Sequence, residues 1–423
     1  MAIRCQPLNI ILPICMVLFG ATVVTTKKLQ FQQVVPGLIT KPHAFRKPCL
    51  QVFMLNLAES LSLIVYLIYK GILHHRSHRK LKDPEKPEGP SEDSTTVANA
   101  PLLLNQEDLT QGEPENTPPK PLTCVQKIKS SSVVMLIIRM IVPSILDLGT
   151  GIMASFAMVY AAPSLMEVMT CTIILFTPIW GCLFLKKRFS ALQIISVIVA
   201  LGGTILSSCS SFLTKPMTGE IPWLGVVLML SAQLCSSLQY VIEERLMLKK
   251  RYHPLLAIGV EGCIGMVLMV FILILFQNIP GPESGKLENT LDTFVQIRNS
   301  NTIVILLVIY TLAAAVFLSS GIQVTRRLSS VHRVLISSCK AGVVWIVHLI
   351  MYPVTSHKYG EAWNMASSLM QLFGFLILVT GNIMFQLSTM HRVKKLKQLE
   401  MNKKQAEEEA VPSSDPPTTE TLV

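Results

Sequence analysis

VIEERLMLKKRYHPLLAIGVEGCIG, residues 241–265, sets a basic corner between two apolar stretches, and its reading decides the architecture. The stretches, Pro222 to Leu246 and Pro254 to Phe276, each reach the roughly 20 residues needed to cross a bilayer. Arg245, Lys249, Lys250 and Arg251 fill the corner; such residues cannot enter hydrocarbon cheaply and mark the cytosolic side. Glu261 follows seven residues after Pro254, which places it about 10 Å along the second helix at a rise of ~1.5 Å per residue. A carboxylate at that depth costs several kcal/mol unless it is paired, protonated or hydrated. It therefore points to function.

Outward from the corner, composition repeats the message. The chain has 423 residues, of which 50% are hydrophobic and 15% charged, with mean hydropathy +0.49. That balance excludes an ordinary soluble domain and predicts many membrane spans. The net charge of +11 does not indicate nucleic acid, because Lys and Arg gather at the ends of apolar segments. Ten cysteines lie mostly within apolar runs, without CxxC or metal-ligand spacing, and read as small apolar helix residues. Cys49 and Cys209 alone are expected on one non-cytosolic side. Leu8 to Val24 has no A-x-A-like site after it and reads as an uncleaved first span.

Ten spans are expected, at 8–26, 50–70, 132–160, 163–185, 191–211, 222–246, 254–277, 302–324, 331–352 and 363–388. The expected fold is all-α, a polytopic membrane protein with ten transmembrane helices in two inverted five-helix repeats. Residues 1–70 hold the first two spans, 131–211 complete the first repeat, and 212–389 form the second. The Pro-, Glu-, Ser- and Lys-rich loop 71–130 and the tail 390–423 cannot bury an apolar core and are expected to be disordered and cytosolic. With the N-terminus inside, inner segments hold 25 Lys and Arg against nine on the outer ones. Both termini are thus expected in the cytosol. The exception is the first outer loop, with Lys27, Lys28, Lys41, Arg46 and Lys47. LQIISVIVALGGTIL at 192–206 and MQLFGFLILVTGNIM at 370–384 place Gln193 and Gln371 each ten residues before Gly203 and Gly381. That faint repeat joins the fifth and tenth spans, and inverted repeats of this kind carry a substrate site between their halves.

Six ionisable residues fall within expected spans: Glu59, Arg139, Asp147, Glu167, Glu261 and Lys340. Such groups face the bundle interior and either pair or line a pathway. As a set they predict a polar translocation cavity. Lys340 and Arg139 are candidates for an anionic or polar group on a cargo, and the four acids for counter-charge or proton coupling. No G-x-S-x-G, H-E-x-x-H or P-loop is present, so no enzyme activity, catalytic residue, metal or cofactor is expected. His74, His75 and His78, beside Arg76, Arg79 and Lys80, read as a basic interfacial flank. Thr421-Leu422-Val423 matches the short pattern of a PDZ-type ligand.

The chain resembles a known family. QYVIEERLMLKKRYHPLLAIGVEGCIG, Gln51 eight residues before Glu59, LENTLDTFVQIRNS at 287–300, SSVHRV at 329–334 and LFGFLILVTGNIMF at 372–385 are similar to the F-type branch of solute carrier family 35. That branch is nucleotide-sugar-transporter-like and EamA-like, within the drug/metabolite transporter superfamily. The resemblance covers nearly all ten spans. It carries over Gln51, Glu59, Asp147, Gln239, Glu243, Glu244, His253, Pro254, Glu261, Gly262 and Arg333. Thr170 stands where the family usually has a basic residue, and Lys340 where an Arg is usual; Lys keeps the charge but loses the planar fork.

The resemblance implies a lysosomal, endosomal or Golgi membrane protein that transports a solute. The reading taken forward is a carrier working by alternating access, with a polar or anionic metabolite favoured as substrate. The alternative is a non-transporting endomembrane scaffold acting through its loop and tail. Expected partners are membrane lipid and a small-molecule solute, but no nucleic acid; a PDZ-type domain at Thr421–Val423 and a second copy of the chain are further candidates.

Overall fold

The computed structural model describes residues 8–38, 42–45, 47–82, 132–160, 169–170, 172–210, 223–250, 252–280, 286, 288–355 and 362–409. Twelve helices account for nearly all of them. They are α1 (Leu8–Gln32), α2 (Pro48–Lys82), α3 (Ser132–Tyr160), α4 (Ile173–Leu185), α5 (Ala191–Cys209) and α6 (Trp223–Lys250), then α7 (Pro254–Asn278), α8 (Thr290–Arg298), α9 (Asn301–Arg327), α10 (Ser330–Ser338), α11 (Lys340–Val354) and α12 (Met365–Glu409). Among the described residues nine segments are long and apolar enough to cross a membrane, and the chain is a multi-pass integral membrane protein. The expected fourth span, 163–185, is represented by α4, which has 13 residues; residues 163–168 and 171 of that span lie outside the described set.

Sequence punctuation sets several helix starts. His253 is extended and Pro254 occupies the first turn of α7, where a missing N–H costs nothing and the fixed φ suits a helix. Ser300 and Ser329 cap α9 and α10 by accepting from the Ile303 and His332 N–H groups, donors otherwise left without partners. Arg326 and Arg327 end α9, complementing the negative end of the helix dipole.

The helices pack in pairs. α1 lies on α9, α2 on α7, α3 on α6, and α5 on α12; α4 meets α6, α2 meets α9, α3 meets α7, α1 meets α11, and α4 meets α10. Two pairs close to backbone contact. A Cβ at Gly262 in α7 would lie 2.5 Å from the Glu59 Cβ and 2.6 Å from the Ser60 nitrogen of α2. A Cβ at Gly203 in α5 would lie 2.7 Å from the Gly374 carbonyl oxygen of α12, so α5 and α12 touch at the glycine-bearing segments that carry the sequence repeat. Gln193 donates to the Thr389 hydroxyl at 2.9 Å, so these two helices run antiparallel.

Four features depart from expectation. The expected ninth span is interrupted: α10 stops at Ser338 and α11 starts at Lys340. Asn382 on α12 donates to the Leu335 carbonyl at 3.0 Å, replacing an intrahelical bond at the break. α2 runs on to Lys82, into the loop expected to be disordered from residue 71, and α12 runs on to Glu409, past the expected tail start at 390. The tail stretch is rich in Lys, Glu, Gln and Leu, whose long unbranched or γ-branched side chains lose little freedom in a helix. Residues 83–131 and 410–423, including Thr421–Val423, lie outside the described residues. Finally, two short strands, β1 (Val34–Val35) and β2 (His43–Ala44), pair antiparallel between α1 and α2. Cys49 and Cys209 are both free.

Candidate functional site

The polar interior gathers on α2, α3, α6, α7 and α10. Glu243 and Glu244 end the stretch of α6 before the basic corner, and each takes a different partner. Arg333, near the start of α10, donates to Glu243 at 2.6 Å with both side chains almost fully buried. The same guanidinium lies 4.0 Å from the ring centroid of Tyr240, one turn before Glu243, where cation and π face attract. Glu244 pairs with Lys187 from the α4–α5 connection and accepts from the Ser330 N–H at 2.9 Å and its hydroxyl at 2.6 Å. Glu244 thus caps α10 and binds it to α6 and to the chain after α4.

Gln239, four residues before Glu243 and so on the same helix face, is the hub. Its Nε2 lies 3.0 Å from Glu261 of α7, 3.1 Å from Glu243 and 3.3 Å from Asp147 of α3. Ser144 donates to the Glu261 carbonyl at 3.3 Å, fixing α3 against α7 beside it. Glu59 on α2 is 2% exposed and faces Asp147, Glu261, Glu243 and Arg333. Among the described residues its Oε2 has no hydrogen-bond partner. Gly262 lets α2 approach, because any side chain there would strike Glu59. Four carboxylates therefore surround one guanidinium and one amide.

Of the expected intramembrane set, Glu59, Asp147 and Glu261 come together. Arg139 stands apart and donates to the Tyr252 hydroxyl at 3.2 Å beside the corner. Lys340 lies at the α10–α11 break, its ammonium 5.0 Å from the Phe317 ring centroid and within electrostatic reach of Arg333. Glu167 is outside the described residues. The cation in the cluster is Arg333, which the family pattern had marked without a position in the site. Of the other pattern residues, Gln239 and Glu243 join the cluster and Glu244 adjoins it. Gln51 instead bonds Gln30 of α1. His253 stacks near Tyr66 and Tyr69, at centroid distances of 4.9 and 5.9 Å. Burial, with Arg326 nearby, lowers the His253 imidazole below its ordinary value. Tyr240 and Lys187 were not singled out. The i, i+3 spacing of Tyr240 to Glu243 was a usable signal, whereas Lys187 read only as one more flanking cation.

A second polar centre sits at the opposite end of α7, outside the spans. Asp292 in the first turn of α8 accepts from the Leu38 N–H at 2.8 Å, from His43 at 2.9 Å and from Lys47 at 2.9 Å. Gln296 donates to the Val35 and His43 carbonyls, and Asn299 to that of Pro36, so α8 carries the hairpin. Burial by itself would raise the Asp292 carboxyl, but the bonds from Lys47, Leu38 and His43 outweigh it and hold it below its ordinary value. Lys47, which ran against the charge bias of the loops, has its reason here.

No protein-family model matches the chain. Solute carrier family 35 member F6 of Rattus norvegicus is 28% identical over 258 residues, covering 57% of this chain and 64% of that protein. The Homo sapiens protein of that name is likewise 28% identical over 258 residues, covering 57% and 65%; the match spans slightly less than two thirds of these relatives' length. An uncharacterized protein of Schizosaccharomyces pombe is 24% identical over 246 residues, 57% of this chain and 72% of its own. Among solved structures, one crystal structure aligns at TM-score 0.52 and 11% identity over 90% of this chain and 96% of that one, a likeness of fold alone. Over 57% of its length, the stretch compared, the chain is similar to solute carrier family 35 member F6.

Proposed function

We propose that this chain is a solute carrier that moves a polar metabolite by alternating access between two inverted five-helix halves, with both termini cytosolic. The observation that carries the reading is the acid cluster, assembled from α2 and α3 of one half and α6, α7 and α10 of the other. A carrier needs costly polar groups where its halves meet, near mid-depth.

The helix neighbours support the inverted arrangement. Exchange α1 with α6, α2 with α7, α3 with α9, α4 with the α10–α11 segment and α5 with α12. The α1–α9 contact then becomes α6–α3, α4–α6 becomes α11–α1, and α2–α9 becomes α7–α3; α2–α7 and α5–α12 map onto themselves. An odd number of spans per half turns the second half over in the membrane, which the antiparallel α5–α12 pair matches. The name of the F6 relatives supports the carrier class. Because carboxylates outnumber cations in the cluster, its charge does not select an anionic cargo.

Purified chain reconstituted in lipid vesicles, assayed with radiolabelled nucleotide sugars, amino acids and small peptides, tests the reading. Uptake of one class, abolished in Glu261→Gln, is expected. Uptake that is unchanged in both Glu261→Gln and Gln239→Ala would remove the cluster from the mechanism.

A further inference from the structure

The cluster has fewer donors than its acceptors need. Gln239 offers two amide hydrogens to three carboxylate oxygens, on Asp147, Glu243 and Glu261. Two hydrogens cannot make three full bonds. Turning the amide over does not help, since its carbonyl would then face the three acids and could accept only from protonated ones. Either way, the cluster is short of donors, and a proton on one acid supplies the missing hydrogen.

Charge gives the same count by a separate route. Arg333 is hydrogen-bonded to Glu243 and is also the charge nearest Glu59, Asp147 and Glu261 that favours their ionised forms, so four carboxylates share one guanidinium. The charged groups acting on Glu59 are Asp147 from α3, Glu243 from α6, Glu261 from α7 and Arg333 from α10; α9 brings the buried Tyr310 phenol within electrostatic reach of Asp147 and the Ser319 hydroxyl to Ser62 at 2.7 Å. The Glu59 Oε2 is buried and has no hydrogen-bond partner among the described residues. Like charges this close in a low-dielectric interior do not all ionise. Among the described residues no three His, Cys, Asp or Glu side chains converge with metal-binding geometry, and α2 and α7 meet too closely beside Glu59 to admit a methyl group. The ligand that satisfies these limits is a proton.

We propose that Glu59, Asp147 and Glu261 form a proton-exchange site, loaded and emptied as the two halves rearrange, so that solute movement is coupled to protons. Loading transfers one proton from water to a carboxylate oxygen and release returns it; only an O–H bond forms and breaks. Asp147 is half-buried where Glu59 and Glu261 are fully buried, which makes it the point of entry. This step rests on the carrier reading above.

The test uses the full chain in lipid vesicles, without solute. Infrared difference spectra between acid and neutral buffer follow the C=O stretch of protonated carboxyls, and a pH-sensitive dye counts protons taken up after an acid pulse. The expected result is a titrating carboxyl band and proton uptake that both fall in Glu59→Gln, whose amide keeps the side-chain shape. Identical spectra and uptake in a Glu59→Gln protein that still elutes as a monodisperse species would overturn the site. Asp147→Asn serves the same purpose if Glu59→Gln does not fold. Solute uptake without any Glu59-dependent band rejects the proton site and leaves the carrier; a Glu59-dependent band without solute uptake keeps the proton site and rejects the carrier.

Discussion

At the hairpin end of α7, a single carboxylate, Asp292, meets an ammonium, an imidazole and a backbone N–H. Between α2, α3, α6, α7 and α10, four carboxylates share one guanidinium and one amide. Both places are buried and polar, yet they differ in balance. Where donors saturate an acid, its charge is fixed and the elements around it are fastened together. Where acids outnumber donors, the arrangement holds only if something else supplies positive charge, so it responds to what arrives.

The largest expected effect comes from removing the guanidinium paired with Glu243. Arg333→Ala strands Glu243 in the bundle and should cost about 3–5 kcal/mol, read as a fall in melting temperature of the detergent-purified protein. Arg333→Lys should recover only part of it, because the ammonium lacks the planar fork and stacks less well on Tyr240. Unchanged melting in Arg333→Ala would mean that Glu243 is already neutral without it.

Overpacking comes next. Gly262→Val places branched carbon where Glu59 and the α2 backbone already lie, with an expected loss of about 1–3 kcal/mol. Cysteine pairs placed across α2 and α7 should crosslink less efficiently in that variant.

At the balanced end, Asp292→Asn removes the charge that Lys47 faces, for an expected loss of about 2 kcal/mol, the scale of a hydrogen bond to a charged group. Its pH dependence has a definite sign. The folded carboxyl titrates below its unfolded value, so its contribution is fully present above an ordinary carboxylate pKa of ~3.9 and is lost as pH falls through the lower folded value. Wild type should therefore keep the hairpin protected from amide hydrogen exchange down through mildly acidic pH, while Asp292→Asn should show weak protection at every pH.

The smallest effect is expected at Lys340. Its described contact is a cation–π approach to Phe317, so Lys340→Ala should change stability by about 1 kcal/mol or less and leave the carboxyl infrared band unmoved. A loss as large as that of Arg333→Ala would bring Lys340 back into the cluster.

Much of this was legible in the residues. Apolar runs of sufficient length predicted the spans, Pro254 marked where one of them begins, and Glu59, Asp147 and Glu261 were singled out because carboxylates are costly in hydrocarbon. Their companion was not legible. Arg139 and Lys340 sit within apolar runs as conspicuously as any acid, whereas Arg333 reads as an end-of-helix cation. Only folding α10 onto α6 carries it to Glu243. The break at Cys339 was hidden for a like reason: the residue that replaces the missing helical bond, Asn382, is more than forty positions away.

By itself, the sequence determined that the chain crosses a membrane repeatedly and that acids lie within it, because both follow from transfer free energies, which local composition dictates. Which acids meet, which cation joins them and that donors fall short were decided by tertiary structure. Those outcomes depend on contacts between helices distant in the chain, and a few ångströms separate a balanced ion pair from an acid that needs a proton.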